Sequence, residues 1–334
     1  MKVALFSTQS YDKQYFNLVN TDAKHEFVFL EPALNADTAI LAKGCEGVCI
    51  FVNDKADAKT LQILHQSGVN TIVLRCAGFN QVDLESAKDL GIKIYRVPSY
   101  SPEAVAEHAV AMVMTLNRKT HKAYNRVREG NFSLERLTGF NLNGKKAGII
   151  GLGQIGLAFA KIMQGFGCEV IAYDPVVEKV PSFIALADLD TLISTADLIS
   201  IHCPLNEHTH HLINQKRFGQ MKKGVMLINT SRGAILDTHA AIEALKEGKL
   251  GYLGIDVYEQ EDKLFFRDLS ESLIEDEQIL RLMSFSNVLI TAHQGFFTTE
   301  ALTEIAQTTL QNLNDAELEH SGSEKGQSGG NRLA

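Results

Sequence analysis

The sequence predicts an α/β protein made of two domains, each with its own parallel β-sheet. Short apolar runs alternate with helical patterns along the chain, as is typical of parallel sheets covered by helices on both faces. A length of 334 residues suggests two domains. Hydrophobic residues (45%) and charged residues (22%) are in the proportions of a globular protein with two cores. We therefore expect two doubly wound sheets of the Rossmann or flavodoxin type, with a cleft between the domains.

Two series of apolar runs are interpreted as strands. Each run is short and is followed by a turn signal or a helical pattern. The first series comprises residues 2–7, 25–31, 47–52, 71–76 and 93–97. The second comprises residues 146–152, 169–174, 198–203, 225–230, 254–258 and 288–292. Helices are predicted over 103–117, 157–166 and 298–314.

The domain boundary is predicted near Pro98 and Pro102, because two prolines interrupt the chain before a long helix. The last predicted helix then returns to the first domain. We expect residues 1–100 plus 296–334 to form the substrate domain, and residues 101–295 the dinucleotide-binding domain. The Gly- and Ser-rich tail from about residue 320 is expected to be disordered.

Charge and cysteine content exclude several classes of protein. The net charge of −8 disfavours general binding to nucleic acid or to anionic membranes. No apolar run is long enough to span a bilayer, and no targeting-like segment is present, so a cytoplasmic location is expected. The five cysteines lack a CxxC spacing, which indicates neither a disulfide framework nor a zinc site.

The most informative stretch is the sequence AGIIGLGQIG, which contains Gly151, Gly153 and Gly156 and runs from a predicted strand to the start of a predicted helix. These glycines would allow a tight turn, a close approach of phosphate to the backbone, and close packing of the helix on the sheet. Asp174 ends the next strand about 20 residues later, where an acid bonds the adenosine ribose. Its charge, with no basic residue following closely, favours NAD over NADP.

Three polar residues follow predicted strands of the second domain, where open α/β sheets bind ligands. Arg232 lies in a Ser-Arg-Gly turn and is suited to clamp a small carboxylate. Glu261 follows the next strand, although sequence alone does not choose among Glu259, Glu261 and Asp262. His293 follows the last strand and precedes Gly295. Each residue taken alone is a weak signal.

Taken in order, GLGQIG, Asp174, NTSRGA with Arg232, GIDVYEQE with Glu261 and ITAHQG with His293 resemble the D-2-hydroxyacid dehydrogenase family. The runs RCAGFNQVDL, RVPSYSPEAVAEHA and NFSLERLTGFNLNGK look like the fermentative, NAD-dependent D-lactate dehydrogenases within it. This resemblance covers the chain to about residue 318. It implies that Arg232 binds the substrate carboxylate, that His293 gives a proton to the carbonyl of pyruvate, and that Glu261 keeps His293 protonated.

The resemblance also implies further binding positions. Those expected to contact NAD besides the glycines and Asp174 are Gln154, Ile155, Cys203, Pro204, Thr209, Thr230, Ser231, Arg232 and Asp256. Those expected to contact the substrate are Cys76, Ala77, Gly78, Tyr100, Arg232 and His293. Many relatives carry a basic residue in place of Gln154, so cofactor affinity is expected to be lower here. A homodimer or tetramer formed through the helix 103–117 and its flanks is also implied.

The sequence leaves two alternative functions and one alternative site open. A dehydrogenase for a bulkier 2-ketoacid would be distinguished by the aromatic residues Phe51, Tyr100, Phe296 and Phe297. An NAD-sensing binding protein of the same fold would not need Arg232, Glu261 and His293 to be catalytically competent. His208, His210 and His211 are interpreted as a polar loop before a helix, and no metal is expected.

Overall fold

The computed structural model describes residues 1–320 and 331–334. These residues form two compact units. The first comprises Met1–Ser101 and Phe297–Ala334, and the second comprises Pro102–Phe296. The stretch 321–330, which contains most of the tail predicted to be disordered, lies outside the described residues.

The first unit contains a five-stranded parallel sheet with the order β2-β1-β3-β4-β5, the order of a flavodoxin-like sheet. Every residue of β3 and β4 is buried, which explains why these strands are continuous apolar runs. The strands are β1 Lys2–Leu5, β2 Glu26–Phe29, β3 Gly47–Ile50, β4 Thr71–Leu74 and β5 Lys93–Arg96. The helices are α1 Ser10–Val19, α2 Ala58–Gln66, α3 Leu84–Asp89 and, from the end of the chain, α11 Thr299–His320.

A buried arginine links the carboxyl ends of β1 and β4. The Arg75 side chain is only 2% exposed, and its Nε donates to Asp12 Oδ1 at 3.2 Å. Its Nη2 donates to the backbone oxygen of Ser7 at 2.9 Å, and the guanidinium lies over the Phe51 ring. Because Cys76 follows directly, this network fixes the start of the Cys76–Gly78 turn.

The second unit contains a seven-stranded parallel sheet with the order β12-β11-β10-β9-β6-β7-β8. Counted within the unit, its first six strands follow the 3-2-1-4-5-6 order of dinucleotide-binding sheets. The strands are β6 Lys146–Ile150, β7 Glu169–Tyr173, β8 Ile184–Leu186, β9 Leu198–Ile201, β10 Val225–Asn229, β11 Leu250–Ile255 and β12 Val288–Ile290. The helices are α4 Pro102–Arg118, α5 Thr120–Arg128, α6 Gln154–Gly165, α7 Leu189–Thr195, α8 Gln215–Gln220, α9 Thr238–Lys246 and α10 Glu277–Ser284.

Both faces of this sheet are covered by apolar side chains. One cluster packs α4 and α6 against the sheet through residues such as Met112 and Phe159. The other cluster packs α7, α9 and α10 on the opposite face. Polar caps begin many of the helices, with a side-chain oxygen accepting from a backbone N–H of the first turn. These caps are Asp57, Asp83, Asp188, Asn214, Asp237 and Asp276.

The predicted pair of parallel α/β sheets is confirmed. One strand was missed, because β8 is only three residues long and two of them are exposed. The strand predicted at 254–258 was wrong in its bounds, since β11 begins at Leu250 and ends at Ile255. Among the described residues, no helix combines the length and apolar content needed to cross a bilayer.

Candidate active site

The glycine-rich turn joins β6 to α6 in a shape that requires two of its glycines. Gly151 has φ of +92°, and a methyl group there would lie 2.7 Å from the backbone of Cys203. A methyl group at Gly156 would lie 2.1 Å from the carbonyl oxygen of Gly151. Gly153, in contrast, is exposed and has no atom within 4 Å of an added methyl group. The exposed start of α6 is therefore a backbone cradle that fits a pyrophosphate.

Asp174 supports this turn from the end of β7. Its carboxylate accepts from the backbone N–H of Leu152 at 2.8 Å, and from those of Val176 and Val177. Partial burial opposes ionisation, but these three hydrogen bonds hold the pKa of Asp174 below its usual range. A fixed negative charge therefore lies beside the turn, where a ribose hydroxyl could donate and a 2′-phosphate would be repelled.

Glu261 and His293 form a directly bonded pair. Glu261 Oε1 lies 2.8 Å from His293 Nδ1, and both side chains are largely buried, at 18% and 14% exposed. The other carboxylate oxygen accepts from the backbone N–H of Tyr258 at 2.9 Å. Because an ionised carboxylate only accepts, Nδ1 must carry a proton toward Glu261. Nε2 is then the nitrogen available for proton transfer.

The structure pairs one of the acids near residue 260 with His293. Glu261, rather than Glu259, contacts His293. Glu259 instead contacts His211 and Thr238, at 2.6 and 2.9 Å.

A strained backbone presents His293. Its φ is +53°, a left-handed conformation that costs a non-glycine residue about 1–3 kcal/mol. The backbone N–H of His293 donates to the backbone carbonyl oxygen of Asp256 at 2.7 Å. The Asp256 carboxylate accepts from the backbone N–H groups of Gln294 and Gly295. These bonds hold the turn in its strained form, so that Asp256 is a positioning residue for His293.

Two residues that the sequence analysis missed complete the surroundings of Asp256. His108 Nε2, on α4, lies 3.2 Å from Asp256 Oδ1, and the Thr291 hydroxyl donates to the same oxygen at 2.5 Å. Burial opposes ionisation of Asp256, yet these partners hold its pKa below the usual value. The available signal was a histidine at the start of the apolar run 109–114 of α4.

Arg232 lies in the turn that follows β10. Buried Asn229 shapes this turn, because its amide accepts from the Ser231 N–H and donates to the Arg232 oxygen. Arg232 Nη1 donates to the Ser231 oxygen at 2.6 Å. A methyl group at Gly233 would lie 2.0 Å from the backbone of Tyr258, so the turn packs directly on the segment that carries Glu261.

The strand register explains why these residues are neighbours. Asn229 at the end of β10 pairs with Ile255 of β11, which pairs in turn with Ile290 of β12. The segments after these three strands therefore leave the sheet at the same edge. The structure thus brings Glu261 into contact with His293, and packs the turn of Arg232 against the segment that leads to Glu261.

Other predicted positions lie in two groups. In the second unit, the Cys203 backbone packs on Gly151, and the Thr209 hydroxyl donates to the Pro204 oxygen at 2.6 Å. Thr230 is buried, and the Ser231 hydroxyl donates to the Ile201 oxygen. The positions in the first unit are the turn Cys76, Ala77 and Gly78, at the end of β4, and Tyr100.

Comparisons with known proteins agree with this geometry. Residues 110–295 match the profile described as D-isomer specific 2-hydroxyacid dehydrogenase, NAD binding domain. The D-lactate dehydrogenase of Escherichia coli strain K12 is 54% identical over 323 residues, covering 95% of this chain and 97% of that protein.

Two solved structures are similar over nearly the whole chain. The structure of the pyruvate reductase of Chlamydomonas reinhardtii has a TM-score of 0.89 and 43% identity, covering 96% of this chain and 97% of that one. A D-2-hydroxyisocaproate dehydrogenase has a TM-score of 0.84 and 29% identity, covering 100% and 99%.

This chain belongs to the D-isomer specific 2-hydroxyacid dehydrogenase family. It is an NAD-dependent oxidoreductase, and its residues 110–295 match the NAD-binding domain of that family.

The glycine turn yields a test with a matched control on the same helix. Gly156→Ala forces a methyl group against the Gly151 carbonyl, which should displace the start of α6. We expect a cost of about 1–3 kcal/mol and a rise in the Kd for NADH of at least about tenfold, measured by fluorescence titration. Gly165→Ala, at the other end of α6, meets no atom within 4 Å and should bind NADH normally. Equal affinity of the two variants would contradict the role given to Gly156.

Proposed function

We propose that this protein is an NAD-dependent D-lactate dehydrogenase that reduces pyruvate to D-lactate and also runs in reverse. The observation that carries the proposal is the bonded pair of Glu261 and His293. The pair lies after strands β11 and β12, in the unit that also contains the glycine-rich turn. Relatives that match over almost the whole chain are named D-lactate dehydrogenase and pyruvate reductase. The alternative of a bulkier 2-ketoacid is represented by the hydroxyisocaproate enzyme.

In this proposal Arg232 binds the substrate carboxylate through its planar guanidinium and orients the adjacent carbonyl. His293, protonated at both nitrogens, donates the Nε2 proton to the carbonyl oxygen as negative charge develops there. Glu261 stabilises the imidazolium through Nδ1 and fixes the ring. NADH, when bound, supplies the hydride for the carbonyl carbon. In the reverse direction, neutral His293 accepts the hydroxyl proton.

We assign the remaining positions to binding. Gly151, Gly153, Gln154, Ile155 and Gly156 would contact the pyrophosphate. Asp174, Cys203, Pro204 and Thr209 would bind the adenosine half, and Thr230, Ser231 and Asp256 would line the nicotinamide half. The backbone of Cys76, Ala77 and Gly78 and the hydroxyl of Tyr100 would contact the substrate. Residues 1–100 plus 296–334 would thus be the substrate domain.

The proposed role is regeneration of NAD during fermentation, in the cytoplasm. The substrate partners are small 2-ketoacids and 2-hydroxyacids. The net charge of −8 gives nucleic acid phosphates and anionic membranes no general attraction.

We further propose a homodimer formed beside α4. Within α4 the large apolar side chains pack into their own unit, so the flanking segment is the better candidate. Helix α5 has no buried residue, and the stretch including and following it exposes large apolar side chains. These are Tyr124 (62%), Val127 (50%), Phe132 (75%) and Leu134 (81%). Such clustered exposure is typical of an interface.

The substrate assignment is tested by steady-state kinetics with NADH. We expect kcat/KM for pyruvate to exceed that for 2-ketoisocaproate by roughly tenfold or more, because a pocket shaped for a methyl group rejects a branched chain. In reverse, D-lactate should be oxidised and L-lactate should not. A preference for 2-ketoisocaproate would favour the bulkier substrate. NADH binding without turnover of any 2-ketoacid would favour a sensor, and activity on L-lactate alone would refute the proposal.

The interface is tested by sedimentation velocity. The molar mass obtained for the wild-type protein should be twice the 36.8 kDa of one chain, or a higher multiple of it. The double substitution Phe132→Asp and Leu134→Asp should yield monomers, because charges would be buried without partners. Leu273→Asp, at a residue 86% exposed elsewhere in the same unit, should leave the assembly intact. Monomeric wild-type protein would contradict the proposal.

A further inference from the structure

A second cluster of ionisable side chains lies outside the predicted catalytic residues. His210 and His211, predicted to form only a polar loop, are joined by Glu259 from the segment after β11. One ligand atom from each of the three lies within 4.8 Å of the others. His211 Nε2 lies 2.6 Å from Glu259 Oε1, and the two imidazole rings stack with centroids 4.1 Å apart. Glu259 lies 48 positions after His211 in the sequence, which concealed the cluster.

Surrounding bonds orient the Glu259 carboxylate and hold the backbone of His211 in place. The Thr238 hydroxyl donates to Glu259 Oε2 at 2.9 Å, which orients the carboxylate. His211 has a left-handed φ of +47°, and its N–H donates to the Ala234 oxygen at 2.8 Å. Asn214 Nδ2 donates to the His211 oxygen. The bond from Thr238 to the Glu259 carboxylate is the kind of outer hydrogen bond that orients a metal ligand.

We propose that His210, His211 and Glu259 bind a divalent cation of the zinc class. Two imidazoles and one carboxylate match the ligand preference of Zn²⁺ and leave a fourth position for water. Ligand atoms on one tetrahedral zinc lie about 3.3 Å apart, from metal–ligand distances of about 2.0–2.1 Å. The exposed ring of His210 would therefore rotate inward, and Glu259 would move away from His211 to admit the ion. Mg²⁺ and Ca²⁺ prefer oxygen ligands and should not compete.

The cluster is connected to the segments that carry the predicted catalytic residues. His211 bonds to Ala234, two residues after Arg232. The Glu259 N lies 2.3 Å from where a methyl group on Gly233 would be, and its neighbour Tyr258 donates to Glu261. Movement of Glu259 would thus disturb the supports of Arg232 and Glu261. Zinc bound at this cluster acts as an inhibitor that lowers kcat, an effect that rests on the function proposed above.

Zinc binding is measured first, without substrate or NADH, by competition with a chromophoric chelator. Wild-type protein should bind one Zn²⁺ per chain. Glu259→Gln and His210→Ala should each weaken binding by at least about tenfold. His208→Ala is the matched control, because His208 belongs to the same loop but is fully outside the cluster and 85% exposed. His293→Gln should also retain the zinc, which separates this site from Glu261 and His293.

Inhibition is measured second, as the loss of pyruvate reduction with increasing Zn²⁺. Wild-type and His208→Ala should lose activity at the zinc concentration that fills the site, and His210→Ala should resist while keeping its activity without metal. Absence of wild-type binding, or binding by His210→Ala and Glu259→Gln that is as tight as that of wild type, would overturn the site. Binding without inhibition would overturn its link to catalysis. Because zinc binding is measured without substrate or NADH, it tests the metal site even if the protein does not reduce pyruvate.

Discussion

The parallel register of β10, β11 and β12 is the constraint on which the rest of the site depends. Each strand ends at the same edge, and each is followed by a short segment with one ionisable residue of the proposed mechanism. Bonds from Asn229 and Asp256 then shape the segments after these strands. The chemistry therefore rests on rigid strands, while the residues that act are on turns that can adopt unusual backbone shapes.

Buried polar residues hold the site in a conformation that its own backbone disfavours. Asp256 is 1% exposed and ionised, and its two oxygens accept from Thr291, Gln294 and Gly295 beside His108. Unpaired, such a charge would be costly, but four partners compensate its desolvation. The resulting rigidity supports the left-handed backbone of His293. Strain at a residue that exchanges protons is consistent with a preorganised site.

The sequence could predict the features that depend on local pattern. Buried parallel strands are continuous apolar runs, so both sheets were recognised, and sterics require glycine at positions 151 and 156 of the turn. Contacts between residues far apart in the sequence could not be predicted from local pattern. The choice of Glu261 over Glu259, the support of Asp256 by His108, and the encounter of Glu259 with His211 depend on how distant segments meet. Strand β8 was missed because it has only three residues, one buried and two exposed, which carry no clear period.

The central claim is that His293 transfers the proton while taking no essential part in holding the cofactor. The most direct measurement combines turnover and NADH affinity for His293→Gln, with Glu261→Gln alongside. We predict that kcat for His293→Gln falls by at least about 10²-fold, while the Kd for NADH stays within about threefold of wild type. The kcat of Glu261→Gln should lie between that of wild type and that of His293→Gln. Unchanged turnover in His293→Gln would contradict the claim, because another group would then have to supply the proton.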